Sequence, residues 1–201
     1  MKKGRAMMRA ARVLAAGAAL LAVSACVSLG QDPPDSLLSL TPAVQAPVGA
    51  SAATQSDGAL AVSDLDAPAK LDAVRVPVQV DAANIAYLKD AVWVDKPARL
   101  FRRLLGETIR ATSGRMVIDS GDPALTPKAQ LRGTLQEFGY DAQTSSVIVR
   151  FDAIRDVNGD GLQAQRFEAV IPGVAPEAGP VGDALNRAAN QVAGEVAAWI
   201  G

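Results

Sequence analysis

Few side chains in this 201-residue protein could do chemistry. There is no histidine and a single cysteine, Cys26, so no imidazole is available for general acid–base work or for activating a nucleophile. A Gly-rich phosphate loop and a Gly-x-Ser-x-Gly elbow are both missing. Metal ligands would have to be carboxylates alone. The segment Asp156-Val157-Asn158-Gly159-Asp160-Gly161 matches the opening of a calcium loop, in which alternate oxygen side chains converge and a glycine permits the bend. The twelfth loop position, where a bidentate glutamate belongs, is Phe167. Asn-Gly and Asp-Gly are also the strongest hairpin-turn dipeptides. The segment is therefore read as a turn, with no metal and no cofactor. A carboxylate pair for glycoside hydrolysis is compatible with the composition, but the acids fall in turns and strand alternations without an apolar pocket signature. This inventory predicts no catalytic residues and points away from an enzyme.

The thiol of Cys26 has a different use. Lys2, Lys3, Arg5, Arg9 and Arg12 precede an uncharged apolar run from Val13 to Val23, the pattern of a secretory signal peptide. That run is much shorter than the roughly 20 residues a membrane-spanning helix needs. It closes on Val23-Ser24-Ala25-Cys26, which resembles a bacterial lipobox: residues 1–25 are removed, the thiol takes a diacylglycerol, and the freed amine takes a further acyl chain. With one cysteine no disulfide can form within the chain, and lipid would cover a thiol otherwise left free in an oxidising compartment. Each buried methylene adds about 0.8 kcal/mol, so several acyl chains make an anchor that does not readily exchange. Val27, where an aspartate would retain the protein at the inner membrane, favours the periplasmic side of the outer membrane.

Five of the 20 basic residues lie in that leader, so the remainder carries 15 against 21 acidic residues, a net charge of −6. Nothing in this balance suggests a nucleic-acid partner. The one basic concentration is Arg99, Arg102, Arg103 and Arg110, which at 100° per residue gather on one side of a helix. The stripe reads either as a contact for lipid phosphates or an acidic partner protein, or as an ordinary solvated face.

The elements that must position these residues follow from periodicity. Residues 26–35 form a lipidated tether, and 36–58 a short strand, Ser36 to Leu40, followed by a flexible Ala/Pro/Ser/Gly-rich stretch from Ala43 to Gly58. Either that stretch is an exposed loop between strands, or the folded body begins near Ala59, with a reach from Cys26 on the order of 100 Å at about 3.3 Å per residue. Residues 59–201 are long enough for one domain. Val74, Val76, Val78 and Val80 alternate as a half-buried strand, which Pro77 marks as edge or bulged. Ile85–Leu88 and Ala91–Val94 are further strands. A helix starts at Asp95 with Pro97 in its first turn and an apolar face of Leu100, Phe101, Leu104, Leu105, Thr108 and Ile109. Strands are predicted at Met116–Ile118, at Ala129–Asp141 with a bulge between Leu135 and Phe138, and at Ser146–Asp156 and Leu162–Ile171, which form a hairpin. After a loop from Pro172 to Pro180, an Ala-rich helix runs from Val181 to Ile200. The sum is a two-layer α+β domain, with two main helices packed on an antiparallel or mixed sheet.

This layout resembles the ABC-type transport auxiliary lipoproteins, PqiC-like accessories of MCE lipid transporters. The resemblance rests on the lipobox at Cys26, the strand Leu37 to Leu40 followed by Thr41-Pro42, and Val74-Arg75-Val76-Pro77-Val78. It continues through Asn84-Ile85-Ala86-Tyr87, Trp93-Val94-Asp95-Lys96-Pro97 with the helix Leu100 to Ile109, and the helix Ala184 to Ile200. Leucines stand in the early strand where the family usually shows tyrosines, and Trp93 precedes Val94-Asp95-Lys96 in place of an acidic–proline pair. The resemblance implies a non-catalytic accessory in lipid traffic between inner and outer membranes. It would work beside an MCE-domain substrate-binding protein and an ABC permease with its ATPase, as a monomer or a homo-oligomer. A reading from another class is a structural envelope lipoprotein that binds a cell-wall or outer-membrane assembly partner.

Overall fold

The computed structural model describes residues 36–52, 58–119, 127, 129–156 and 161–201. The chain divides into residues 1–33, which fall outside that description together with Cys26, and residues 34–201. In the second unit a seven-stranded mixed sheet is built on strand β5, Ala129–Asp141. Along one edge β5 pairs antiparallel with β6, Ser146–Asp156, which pairs antiparallel with β7, Leu162–Ile171. The opposite edge is shared. β1, Leu60–Val62, lies parallel to its first residues and β2, Arg75–Gln79, parallel to its last. Outside these lie β4, Val117–Asp119, parallel to β1, and β3, Ile85–Val92, antiparallel to β2. Helices α1, Pro97–Ser113, and α2, Ala178–Ile200, touch each other and cover one face. The fold is thus the predicted two-layer α+β arrangement.

Alternation, with one change of phase in β5, accounts for the long strands. Leu131, Leu135, Phe138 and Tyr140 on β5, Val147, Val149, Phe151 and Ala153 on β6, and Phe167 and Ala169 on β7 are all buried under the helices. The predicted change of phase is a register shift between Leu135 and Glu137. Phe101 reaches down from α1 to place its ring centroid 6.5 Å from Phe138 and 5.4 Å from Phe151, and Trp93 stands 5.4 Å from Phe138. Alanines 184, 188, 189 and 193, all buried, let α2 lie close to the sheet. Arg155 anchors the far end of α2, with its guanidinium over the Trp199 ring at 4.5 Å and a hydrogen bond to the Trp199 carbonyl.

Several local expectations are revised. Ile85–Leu88 and Ala91–Val94 are not two strands but one strand ending at Val92. It is interrupted where Arg75 pairs with Val92 and Pro77 with Tyr87, an offset absorbed by a bulge in which Asp90 takes φ 57°. Of the two alternatives for Pro77, edge or bulge, the second holds: it sits at that bulge, on an interior strand. Gly139 on β5 makes room for it, since a Cβ there would stand 2.5 Å from the Pro77 carbonyl oxygen. Val74 and Val80 fall outside β2 and are exposed, leaving Val76 as the buried member of the valine series. α1 begins at Pro97, not Asp95, and α2 begins at Ala178 and not Val181, because Pro180 is tolerated within a first turn. β4 is displaced by one residue from the predicted Met116–Ile118. The β6–β7 pairing runs up to Asp156 and Leu162, while residues 157–160 of the proposed turn lie outside the described residues.

Candidate functional site

The predicted arginine stripe lies along the side of α1 turned away from Leu100, Phe101, Leu104, Leu105 and Ile109, all of which are buried. The structure divides it. Arg99 and Arg103, with side chains 66% and 64% exposed, share one carboxylate, Asp95, at 3.8 and 3.2 Å. Arg102 is only 19% exposed and stands 3.4 Å from Asp64. Arg110 pairs with Glu107 of its own helix at 2.6 Å. Such surface pairs contribute about 0.2–1 kcal/mol each. Their greater effect is on charge: around Asp95 two cations face one anion, which leaves a surplus positive charge at the exposed start of the helix.

Beside this flank runs a groove of about 550 Å³. Leu40, Val62, Leu104 and Val117 give it an apolar lining, and Arg102, Arg103 and Arg110 line it as well. One wall is the segment that follows residue 36. Leu38 bridges to Trp93 in parallel fashion, its amide donating to the Val92 carbonyl at 2.7 Å and its carbonyl accepting from Val94 at 2.9 Å. Beyond it the backbone is held by amide side chains of α2. Thr41 N–H donates to Asn186 Oδ1 at 2.9 Å and Ala43 N–H to Asn190 Oδ1 at 2.7 Å, while Asn190 Nδ2 returns a bond to the Thr41 carbonyl at 2.9 Å. Farther along, Ala46 N–H donates to Glu107 Oε1 at 2.9 Å, using the oxygen that Arg110 leaves free. Leu38 lies so close to α2 that a Cβ on Gly182 would come within 2.6 Å of its Cδ2. None of Gly182, Asn186, Asn190 or Glu107 was singled out by the sequence reasoning. The available signal was a pair of amides four residues apart on an otherwise Ala-rich helix.

The face of the sheet away from the helices carries cross-strand charge pairs among scattered aliphatic residues such as Ile148 and Val170. Arg150 bonds Glu168 across β6 and β7, and Arg166 Nε donates to Asp152 Oδ1 at 2.6 Å. Lys70 reaches Glu137 at 2.5 Å. The Arg166 hydrogen bond holds the Asp152 carboxyl below its ordinary value of 3.8 against a desolvation effect that acts in the opposite direction. In the loop after β2, Asp81 is lowered as well, chiefly because the Ala83 N–H donates to it. These acids serve cross-strand pairing and turn formation. Among the described residues no three His, Cys, Asp or Glu side chains converge as metal ligands, and no helix there is long and apolar enough to cross a membrane.

A family model described as the ABC-type transport auxiliary lipoprotein component matches residues 38–197. Among solved structures, a protein from Xanthomonas campestris is similar at 16% identity with a TM-score of 0.67, covering 82% of this chain and 93% of its own. An uncharacterized protein is similar at 13% identity with a TM-score of 0.62, covering 83% of this chain and 100% of its own. At these identities the likeness concerns the fold. No curated protein matches the chain.

Proposed function

The chain belongs to the family of ABC-type transport auxiliary lipoprotein components, and from that premise we propose that it serves as a non-catalytic accessory of an MCE-type lipid transport system. In this reading Cys26 carries the acyl anchor, the protein sits on the periplasmic side of the outer membrane, and its body docks an MCE-domain protein served by an ABC permease and ATPase. The observation that carries the reading is the family match over residues 38–197, nearly the whole described body.

Two surfaces are suited to the docking. One is the exposed start of α1, where Arg99 and Arg103 leave a surplus positive charge over Asp95. The other is the outer edge of β7, which among the described residues has a strand neighbour only in β6 and so presents backbone donors and acceptors along its length.

The test is a mild-detergent pull-down of the tagged, full-length lipoprotein with mass spectrometry of the proteins and lipids recovered. Recovery of an MCE protein with its permease is the expected result. Recovery of cell-wall or outer-membrane assembly proteins instead would replace lipid transport with the structural-envelope reading. Reversing charge at Arg99, Arg102 and Arg103 is expected to reduce co-purification, and undiminished recovery would move the docking site to the β7 edge.

A further inference from the structure

Halfway along α1, Gly106 stands where almost any other residue would make a steadier helix, since glycine gives up the most backbone freedom on folding. The packing at this buried position would admit an alanine. A Cβ at this position would meet only Val117 Cγ1, at 3.6 Å, an ordinary van der Waals contact. Nor does the backbone there enter the left-handed region that glycine serves. What the absent side chain does is leave space in the groove beside α1, which Gly106 lines together with Leu104 and Val117.

That groove is amphipathic. Hydrocarbon from Leu40, Val62, Leu104 and Val117 meets a guanidinium flank, and its volume of about 550 Å³ falls in the range of roughly 300–1,000 Å³ common to small-molecule sites. We infer that it takes one acyl chain of an anionic phospholipid, with the hydrocarbon on the apolar lining and the phosphate against Arg103. A guanidinium suits phosphate because its planar donors bind two oxygens at once. Arg103 is the flank residue that brings surplus charge, since it shares Asp95 with Arg99, whereas Arg110 is matched by Glu107. Position agrees with this: Ser39, Leu40 and Pro42 form part of the wall, so the groove lies beside the segment that leads back toward Cys26. The choice of ligand class rests on the lipid-transport reading above.

The test places the full-length lipoprotein in phosphatidylglycerol vesicles doped with phosphatidylglycerol that carries a photoreactive acyl chain. Cross-linked residues are mapped by mass spectrometry, and thermal melts check that each variant folds. Adducts are expected at Leu40, Val94 or Val117, and unlabelled phosphatidylglycerol in the vesicle should compete with the probe more strongly than phosphatidylcholine does. Gly106→Leu, which fills the groove, is expected to cut the yield about tenfold, while Gly106→Ala changes it less than about twofold. Val94→Asp, at a half-exposed position on the groove wall, should cut it too if Gly106→Leu fails to fold. Arg103→Glu should erase the preference for phosphatidylglycerol. Adducts confined to other surfaces, or wild-type yields in both Gly106→Leu and Val94→Asp, would overturn the inference, as would complete displacement of the probe by inorganic phosphate, which would make this a free-anion site. If no groove adduct forms while the MCE partners still co-purify, the inference falls and the transport reading stands. Groove adducts without any transport partner would leave the lipid site and remove the transport reading.

Discussion

Asn186 and Asn190 hold the backbone of Thr41 and Ala43 much as a neighbouring strand would, with side-chain amides in place of peptide groups. Asn190 both accepts and donates there, so Asn190→Ala removes two bonds at once. A loss of about 1–2 kcal/mol in stability is expected, with faster amide hydrogen exchange at Ala43, whose N–H donates to Asn190; unchanged protection of that amide would show that it is held by something else. Asp152 makes a prediction in pH. Its folded value lies below the ordinary 3.8 because Arg166 donates to it, so its contribution is fully present above about pH 4 and is lost as the pH falls through the depressed folded value. Urea melts of the wild type and Asp152→Asn should therefore converge on acidification below pH 4 and differ most near neutrality. Neither device could be read from the sequence with any security, because each depends on which distant residue the fold brings opposite.

At the scale of elements, legibility followed the regularity of the pattern. β5, β6 and β7 have the limits predicted from the sequence: β6 buries every second residue from Val147 to Ala153, β5 buries Leu131 and Leu135 before its register shift and Phe138 and Tyr140 after it, and β7 buries Phe167 and Ala169. β3 does not. Its bulge at Asp90 breaks the period, and a non-glycine residue in the left-handed region carries no reliable signal. The arginines were legible as a stripe because helical spacing alone sets their side, but the groove beside them draws on the early segment, β1, α1 and β4, whose meeting no local spacing reveals. The aromatic contacts identify where α1 is fastened. Phe138 is fully buried and touches both Trp93 and Phe101, so Phe138→Ala should cost about 3–5 kcal/mol in chemical denaturation. Val74→Ala, at an exposed position beside the same sheet, should stay within about 0.5 kcal/mol. Similar losses for the two would mean that α1 is not held through this aromatic row.

At the scale of the whole molecule, the proposed anchor and the body are joined through residues 26–35. Cys26→Ser is expected to move the protein from the membrane to the soluble periplasmic fraction on cell fractionation, with the melting temperature of the body unchanged. Continued membrane association would mean that another surface holds it there. The fastening of the early segment at Leu38 gives that anchor a quantitative meaning. Were the chain free as far as Gly58, the body of an acylated chain could wander on the order of 100 Å from the bilayer; fastened from Leu38 onward, it is confined by the twelve steps from Cys26 to about 40 Å. A single molecule in a hemisphere of that radius is present at an effective concentration on the order of 10 mM, against about 1 mM for the longer reach. The backbone bridge at Leu38, continued by the two asparagines at Thr41 and Ala43, thus raises roughly tenfold the local concentration at which the body of an acylated chain meets whatever it binds at the membrane, without adding a contact to the partner.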